Sequence, residues 1–240
     1  MHVARSVLAA MAAGALAVTA AAPGSAALTT TVAEWQLNEP AGAGVMADSS
    51  GNGIDGVIGS AVVTDTVVAG ATGYRWTFVR PNEPPAKPER LVTIDDPRMN
   101  PGSGDFAITI RFRTTHSFGN MLQKGQAGSK GGYFKWQIPK GKLTCLFRGY
   151  DAQGNRQSKA VNSGAVPLND GDWHVVRCAR TSDRLTMTID GERTRRAWGP
   201  TGTIANKVPL TLGGKRNCDQ IRVTCDYFAG DMDYVRIESD

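Results

Sequence analysis

Histidine and glutamate are scarce in this chain of 240 residues, which contains three histidines and six glutamates. The sequence also has no Cys-x-x-Cys pair and no Gly-x-Ser-x-Gly motif. These absences argue against a zinc site and against a serine nucleophile on a strand-to-helix turn. No strand-like segment carries the alternating Glu-x-Asp pattern that supplies the paired carboxylates of glycoside hydrolases. We therefore expect that this protein is not an enzyme.

Long apolar segments are missing as well, except at the start of the chain. Residues 1–27 read MHVARSVLAAMAAGALAVTAAAPGSAA, with a basic residue, then an apolar run, then small residues. This is the pattern of a cleaved secretory signal peptide. No later segment is long and apolar enough to span a bilayer. We expect a secreted, extracellular protein whose residues 28–240 form one domain.

The four cysteines form an even set, which in an exported protein favours two disulfides. Three pairings are possible. Cys145 and Cys178 both lie in strand-like segments, whereas Cys218 and Cys225 are separated by six residues. We favour pairing Cys145 with Cys178, which would join two strands, and Cys218 with Cys225, which would close a short loop.

Apolar side chains recur with a period of two along the chain. In DFAITIRFRT the apolar residues Phe106, Ile108, Ile110 and Phe112 fall on one face, and RLTMTIDG repeats the pattern. Glycine, proline, aspartate and asparagine cluster between such segments, and no convincing helical stripe occurs. These features predict an all-β protein, an antiparallel two-sheet β-sandwich of the jelly-roll type. Four tryptophans lie in strand patterns and are expected in the core: Trp35, Trp76, Trp136 and Trp173.

A basic cluster stands out against the mild formal net charge of +5. It lies in GERTRRAW and comprises Arg193, Arg195 and Arg196. Such a cluster can attract an acidic polymer, but it can also be a solvated turn and strand edge. Trp198 follows it, and Tyr150 lies in RGYDAQGNRQ; both look exposed. Because sugars stack on aromatic rings beside polar groups, we take Trp198, Arg195, Arg196 and Tyr150 as candidate ligand-binding residues.

Five segments, in order, resemble a known family. They are AEWQLNEPAGAGVMADSSGNGIDG, FAITIRFRT, PLNDGDWHVVRCAR, LTMTIDGE and CDYFAGDMDYVRIE. Together they resemble the laminin G-like domains with the concanavalin A-like lectin and glucanase jelly roll, in a secreted bacterial, actinobacterial-type subgroup. The resemblance covers nearly all of residues 28–240 and supports the favoured cysteine pairing.

The resemblance also implies a structural calcium ion where the loop after the first strand meets the last strand. Matched to this sequence, the metal ligands would be Asp48, Asn52 and Asp233, with Asp55 and Asp231 as weaker candidates. Oxygen ligands of this kind suit Ca²⁺. The alternative is a metal-free loop in which Asp48 and Asn52 hydrogen-bond to the backbone. An EF-hand is excluded because position twelve of that loop would be Gly59.

The same fold also occurs in lyases and hydrolases, so the fold alone does not decide whether this chain is an enzyme. GGYFKWQI places Tyr133, Lys135 and Gln137 on one face, as in some lyases, but no companion motif accompanies it. His174 is expected to be packed and hydrogen-bonded. We therefore predict a secreted, monomeric binding module for carbohydrate or an extracellular or cell-wall surface, with no nucleic-acid partner. The alternative is a protein–protein adhesion module.

Overall fold

Short strands account for most of the regular structure in the computed structural model, which describes residues 28, 30–68, 70–78, 89–216 and 226–240. There are sixteen: β1 Thr30–Trp35, β2 Val45–Met46, β3 Gly56–Ile58, β4 Val63–Val68, β5 Ala71–Trp76, β6 Val92–Ile94, β7 Phe106–Arg113, β8 Asn120–Lys124, β9 Tyr133–Gln137, β10 Thr144–Tyr150, β11 Arg156–Asn162, β12 His174–Arg180, β13 Arg184–Ile189, β14 Arg193–Trp198, β15 Leu210–Leu212 and β16 Gly230–Ser239. Two 3-10 helices, Pro97–Met99 and Pro139–Gly141, connect strands.

The strands form two eight-stranded sheets. The first sheet has the order β14-β13-β12-β7-β16-β5-β4, and β1 also pairs with β16. The second sheet has the order β11-β10-β9-β8-β15-β6-β3-β2. Neighbouring strands pair antiparallel throughout both sheets. The predicted antiparallel two-sheet β-sandwich is therefore confirmed.

The core lies between the inward faces of the two sheets. On β7 the predicted apolar face, Phe106 to Phe112 at alternate positions, is at most 1% exposed. Trp35, Trp76 and Trp136 are also buried in the core, as expected. Trp173 is an exception, because its side chain is only partly buried and lies under the guanidinium of Arg111, 4.7 Å from the ring centroid. The prediction of a core position for Trp173 was therefore wrong; the residue precedes β12 instead of lying within it.

A disulfide crosses the core between Cys145 on β10 and Cys178 on β12. Both cysteines are fully buried, and they belong to different sheets. The predicted Cys145–Cys178 pairing is confirmed. Cys218 and Cys225 lie outside the described residues, as does the predicted signal peptide, residues 1–27. Among the residues that the structure describes, no helix is long and apolar enough to cross a membrane.

Candidate functional site

The loop between β2 and β3 is organised by the carboxylate of Asp48. Its Oδ1 accepts hydrogen bonds from the backbone N–H groups of Glu34 and Ser50, at 3.0 and 2.9 Å. Its Oδ2 accepts from the Ser50 hydroxyl and the Ile54 N–H, at 2.8 and 3.0 Å. Burial opposes ionisation, but these hydrogen bonds outweigh it and lower the pKa of Asp48. Four hydrogen bonds occupy the four acceptor positions of the carboxylate.

Asn52 fastens the same loop to the first strand. Its side-chain Nδ2 donates to the carbonyl oxygens of Thr31 and Val32, at 2.9 and 3.0 Å. The amide nitrogen is thus turned toward β1, and the loop is held by Asp48 on one side and by Asn52 on the other. This explains how a glycine-rich segment adopts a single conformation against the sheet.

Asp233, the third predicted calcium ligand, lies at the irregularity of β16 between Met232 and Tyr234. It forms an ion pair with Arg111 of β7. Burial raises the pKa of Asp233, and the adjacent Arg111 only partly offsets this. Its Oδ1 is buried and has no hydrogen-bond partner in the described part of the chain.

In this structure both predicted carboxylate ligands of calcium interact with groups of the protein itself. The carboxylate of Asp48 accepts four hydrogen bonds, and that of Asp233 is paired with Arg111. The described ranges also contain no group of three or more His, Cys, Asp and Glu residues placed to hold a metal. The calcium site stays a prediction.

The basic cluster lies on β14, the edge strand of the first sheet. Trp198 at its end is 64% exposed and sits directly opposite Arg184 of β13. The Arg184 guanidinium lies over the indole ring, 5.4 Å from its centroid. Cation–π contacts of this kind orient an exposed ring. Trp198 is thus held at the surface, as its pattern predicts, with most of its area open to solvent.

Arg195 points toward the other sheet. A methyl group added at Gly164, just after β11, would fall 2.6 Å from the Arg195 guanidinium, so the side chain lies directly over this glycine. A methyl group added at Gly199 would likewise fall 2.7 Å from the Lys159 Nζ of β11. The edge strands β11 and β14 therefore approach each other along one open side of the sandwich.

We call this side the basic seam and define it by the cations on its two strands, which are Arg156, Lys159, Arg193, Arg195 and Arg196. None of these five side chains forms an ion pair within the described residues. In the middle of the first sheet, by contrast, Arg177 and Arg236 both pair with Glu238. The seam therefore carries uncompensated positive charge.

Tyr150 lies on β10, next to the edge strand β11 of the second sheet. It ends β10 opposite Arg156, and its backbone N–H and C=O both bond to Thr203. Its ring is 36% exposed, and among the described residues no ring contact or hydrogen bond joins it to Trp198.

Arg196 and Trp198 alternate onto the outer face of β14 and Arg195 onto the inner face. The four predicted ligand-binding residues thus occupy different faces near the seam.

His174 is packed and hydrogen-bonded, as expected. Its ring nitrogens Nδ1 and Nε2 lie 3.0 Å from carboxylate oxygens of Asp190 and Asp170, and its ring contacts that of Phe112. Burial disfavours the charged ring, but the hydrogen bonds with Asp190 and Asp170 outweigh it and raise the pKa of His174. The two carboxylates and the Phe112 ring together fix the orientation of the His174 ring.

Sequence reasoning missed an open cavity at the ends of β5, β7 and β16. Its volume is about 300 Å³, and it is lined in part by Arg75, Phe78, Arg113, His116 and Asp231. The strand patterns place Arg75, Arg113 and Asp231 on outward positions. The cavity could not be found from them, because the pairing of β16 with both β5 and β7 is not visible in the sequence.

The two antiparallel sheets and the disulfide that crosses between them define the class of this protein as a jelly-roll β-sandwich. The sequence model of the laminin G domain matches residues 112–240, more than half of the chain. The protein therefore belongs to the laminin G domain family.

Individual relatives match part of the chain. Mouse laminin subunit alpha-1 is 29% identical over 121 residues, which are 48% of this chain and 4% of laminin. Human neurexin-3-beta is 26% identical over 119 residues, 48% of this chain and 18% of neurexin. The chain thus spans less than a fifth of either relative. The binding domain of botulinum neurotoxin DC, solved in complex with SialylT, shares the fold at a TM-score of 0.55 and 10% identity, over 87% of this chain and 47% of that one.

Proposed function

We propose that this protein is a secreted, non-catalytic binding module that holds an acidic carbohydrate polymer, at a cell wall or another extracellular surface, through the basic seam. The observation that carries the proposal is the set of five cations on two facing edge strands, which have no ion-pair partners among the described residues. A carboxylated or sulfated polymer would supply the missing negative charge. Membership of the laminin G family supports a binding role without catalysis.

Trp198 adds a contact that is not electrostatic. Its indole is exposed and held by Arg184 at the end of the seam, where a sugar ring can stack on it. The combination predicts binding that weakens with salt, because exposed charges are screened, but does not vanish, because stacking is insensitive to salt.

The test is retention of the protein on immobilised polygalacturonate compared with neutral dextran. We expect retention on polygalacturonate only, with a large loss in the variant R193Q/R195Q/R196Q and a partial loss in Trp198→Ala. Arg98→Gln is the matched control, because Arg98 is an exposed arginine paired with Asp96 away from the seam. Retention of the triple variant equal to that of the wild type would refute the proposal.

A protein–protein adhesion module is the second candidate. It is favoured by β4, the opposite edge of the first sheet, where Val63 and Val67 are 45% and 72% exposed. Exposed valines on a strand whose outer side pairs with no other described strand suit the addition of a strand from a partner. Binding of an extracellular protein that is lost in Val67→Lys and unaffected by the triple seam variant would support this candidate.

A further inference from the structure

The cavity at the ends of β5, β7 and β16 has an unbalanced set of charges. Asp231 of β16 lies opposite Arg75 on one side and opposite Arg113 on the other. Its carboxylate takes a hydrogen bond from the Arg75 Nε at 2.7 Å. Arg113 has no ion pair or hydrogen bond to its side chain in the described part of the molecule. One carboxylate therefore lies between two guanidinium groups and pairs with only one of them.

The surrounding sheet shows that this imbalance is local. The next arginine along β7, Arg111, pairs with Asp233, and Arg177 of β12 pairs with Glu238. Arg113 alone among these outward-facing arginines lacks a carboxylate. A partly buried guanidinium without a partner forfeits the strong bidentate hydrogen bonds that it can make. A ligand carboxylate would supply the acidic partner that Arg113 lacks among the described residues.

The opposite wall of the cavity is aromatic. Phe78 stacks on the His116 ring with the centroids 4.8 Å apart and an angle of 6° between the planes. Phe78 is nevertheless 57% exposed, so one side of the stack is free. An exposed aromatic ring beside polar groups is the usual platform for a sugar ring. Thr115 adds an exposed hydroxyl to the rim.

We propose that this cavity is a second binding site, separate from the basic seam, for a hexuronic acid residue. Its carboxylate pairs with Arg113, its ring packs against Phe78, and its hydroxyls hydrogen-bond to the Arg75–Asp231 pair. The volume of about 300 Å³ accommodates one sugar residue. The site therefore takes a single acidic sugar, free or at the end of a chain, whereas the seam takes a polymer along its length.

The test is an NMR titration that follows the Arg113 Nε–H resonance of the full chain. Glucuronate is expected to shift this resonance saturably at millimolar concentration, and glucose is expected to bind about tenfold more weakly because it lacks the charge-assisted pair. Arg113→Gln should abolish the preference for the acid, and Phe78→Ala should weaken both sugars. Unfolding curves of both variants check that the fold is retained.

Controls separate this site from the seam and from simple anion binding. The triple variant R193Q/R195Q/R196Q should bind glucuronate as the wild type does, even if the seam proposal fails. Acetate should bind much more weakly than glucuronate, because it has a carboxylate and no ring. Equal affinities for glucuronate and acetate, equal affinities for glucuronate and glucose, or unchanged binding in Arg113→Gln would each overturn the proposal.

Discussion

The guanidinium of Arg184 lies 5.4 Å from the centroid of the Trp198 indole, across a directly paired position of β13 and β14. Arg184 is itself held by Asp183, at 3.2 Å. The chain thus fixes the orientation of an aromatic side chain that is 64% exposed and that buries little in the core. This exposed, oriented ring is the stacking surface that the proposed function requires.

Truncating Arg184 should reduce glycan retention without unfolding the protein. We expect Arg184→Ala to bind polygalacturonate less tightly than the wild type, because the indole loses its orienting partner. The free energy of unfolding should fall by no more than about 1 kcal/mol, since exposed cation–π contacts are weak. Affinity electrophoresis and urea denaturation measure the two effects. A loss of several kcal/mol would mean that Arg184 acts through folding.

Removing Arg180 should destabilise the fold strongly. This arginine is 2% exposed, and its guanidinium donates to the carbonyl oxygens of Gly102, Gly104 and Gly202 at 2.7–3.1 Å. Burial lowers the pKa of Arg180 to about 10, so the group stays charged at neutral pH. Arg180→Ala removes a buried side chain and leaves the carbonyls of Gly104 and Gly202 without this donor, at a cost of about 3–5 kcal/mol in urea denaturation.

Arg180→Lys is the informative companion variant. A single ammonium cannot reproduce the planar fork that reaches three carbonyls, so an intermediate loss is expected. Full stability in Arg180→Lys would show that charge alone is required. Arg98→Ala, which removes a surface ion pair with Asp96, should shift the unfolding midpoint far less than Arg180→Ala.

Opening the disulfide should lower stability through the unfolded state. Cys145 and Cys178 are separated by 33 positions, and a loop of this size restricts the unfolded chain by about 3–4 kcal/mol. The double variant C145A/C178A should therefore melt at a lower temperature than the oxidised wild type. It should also be insensitive to reductant where the wild type is destabilised. Equal melting temperatures for the oxidised wild type and the double variant would contradict this.

Stability should fall as the pH rises past the titration of His174. Its folded pKa is raised, so its contribution is fully present below its ordinary value of about 6.5 and is lost as the pH rises through the folded pKa. Urea midpoints from about pH 6 to pH 9 test this in the wild type and in His174→Gln. The difference between the two proteins should shrink across this range.

The comparison between the wild type and His174→Gln is necessary because Lys124 titrates in the same pH range. Burial lowers its pKa to about 8, and its ammonium donates to the carbonyl of Val208. A lysine with a lowered pKa favours the folded state more as the pH rises, opposite in sign to His174. The slope of the wild type alone therefore mixes two groups, whereas the difference from His174→Gln isolates the histidine. An unchanged difference across the range would contradict the role of the two carboxylates.

Asp48 should be required for stability with or without calcium. Asp48→Ala removes four hydrogen bonds and should cost about 2–3 kcal/mol both in chelator and in calcium, because the contacts are to the protein itself. Thermal melts of the wild type and the variant in both solutions measure this. A melting temperature that calcium raises in the wild type and not in Asp48→Ala would support the predicted ion.

The two-residue repeat of apolar side chains was sufficient to predict the β-sandwich. The alternation in β7 and β13 depends on the two-residue repeat of a strand, and every inward residue that it predicted there is buried. The Cys145–Cys178 pairing was also reachable, since both cysteines lie in strands. Trp173 was misplaced because its neighbours resemble a strand, whereas β12 begins one residue later and the ring packs on the outer face.

The sites depended on information that a single sequence does not contain. Arg195 approaches Gly164 and Lys159 approaches Gly199 only because edge strands of different sheets come together. Cross-strand partners such as Arg113 and Asp231 are separated by more than one hundred positions. Long-range register of this kind is set by tertiary packing, so composition could suggest a basic patch but could not locate the cavity.

The position of the basic seam has a consequence for solubility. Edge strands present unpaired backbone groups that can recruit a strand from a second copy, and lysine and arginine side chains are a common protection against such aggregation. The cations on β11 and β14 repel the same edge of another molecule. Replacing these charges with neutral residues would therefore favour edge-to-edge polymerisation. The cations that are proposed to bind an acidic polymer would thus also protect the protein from aggregation.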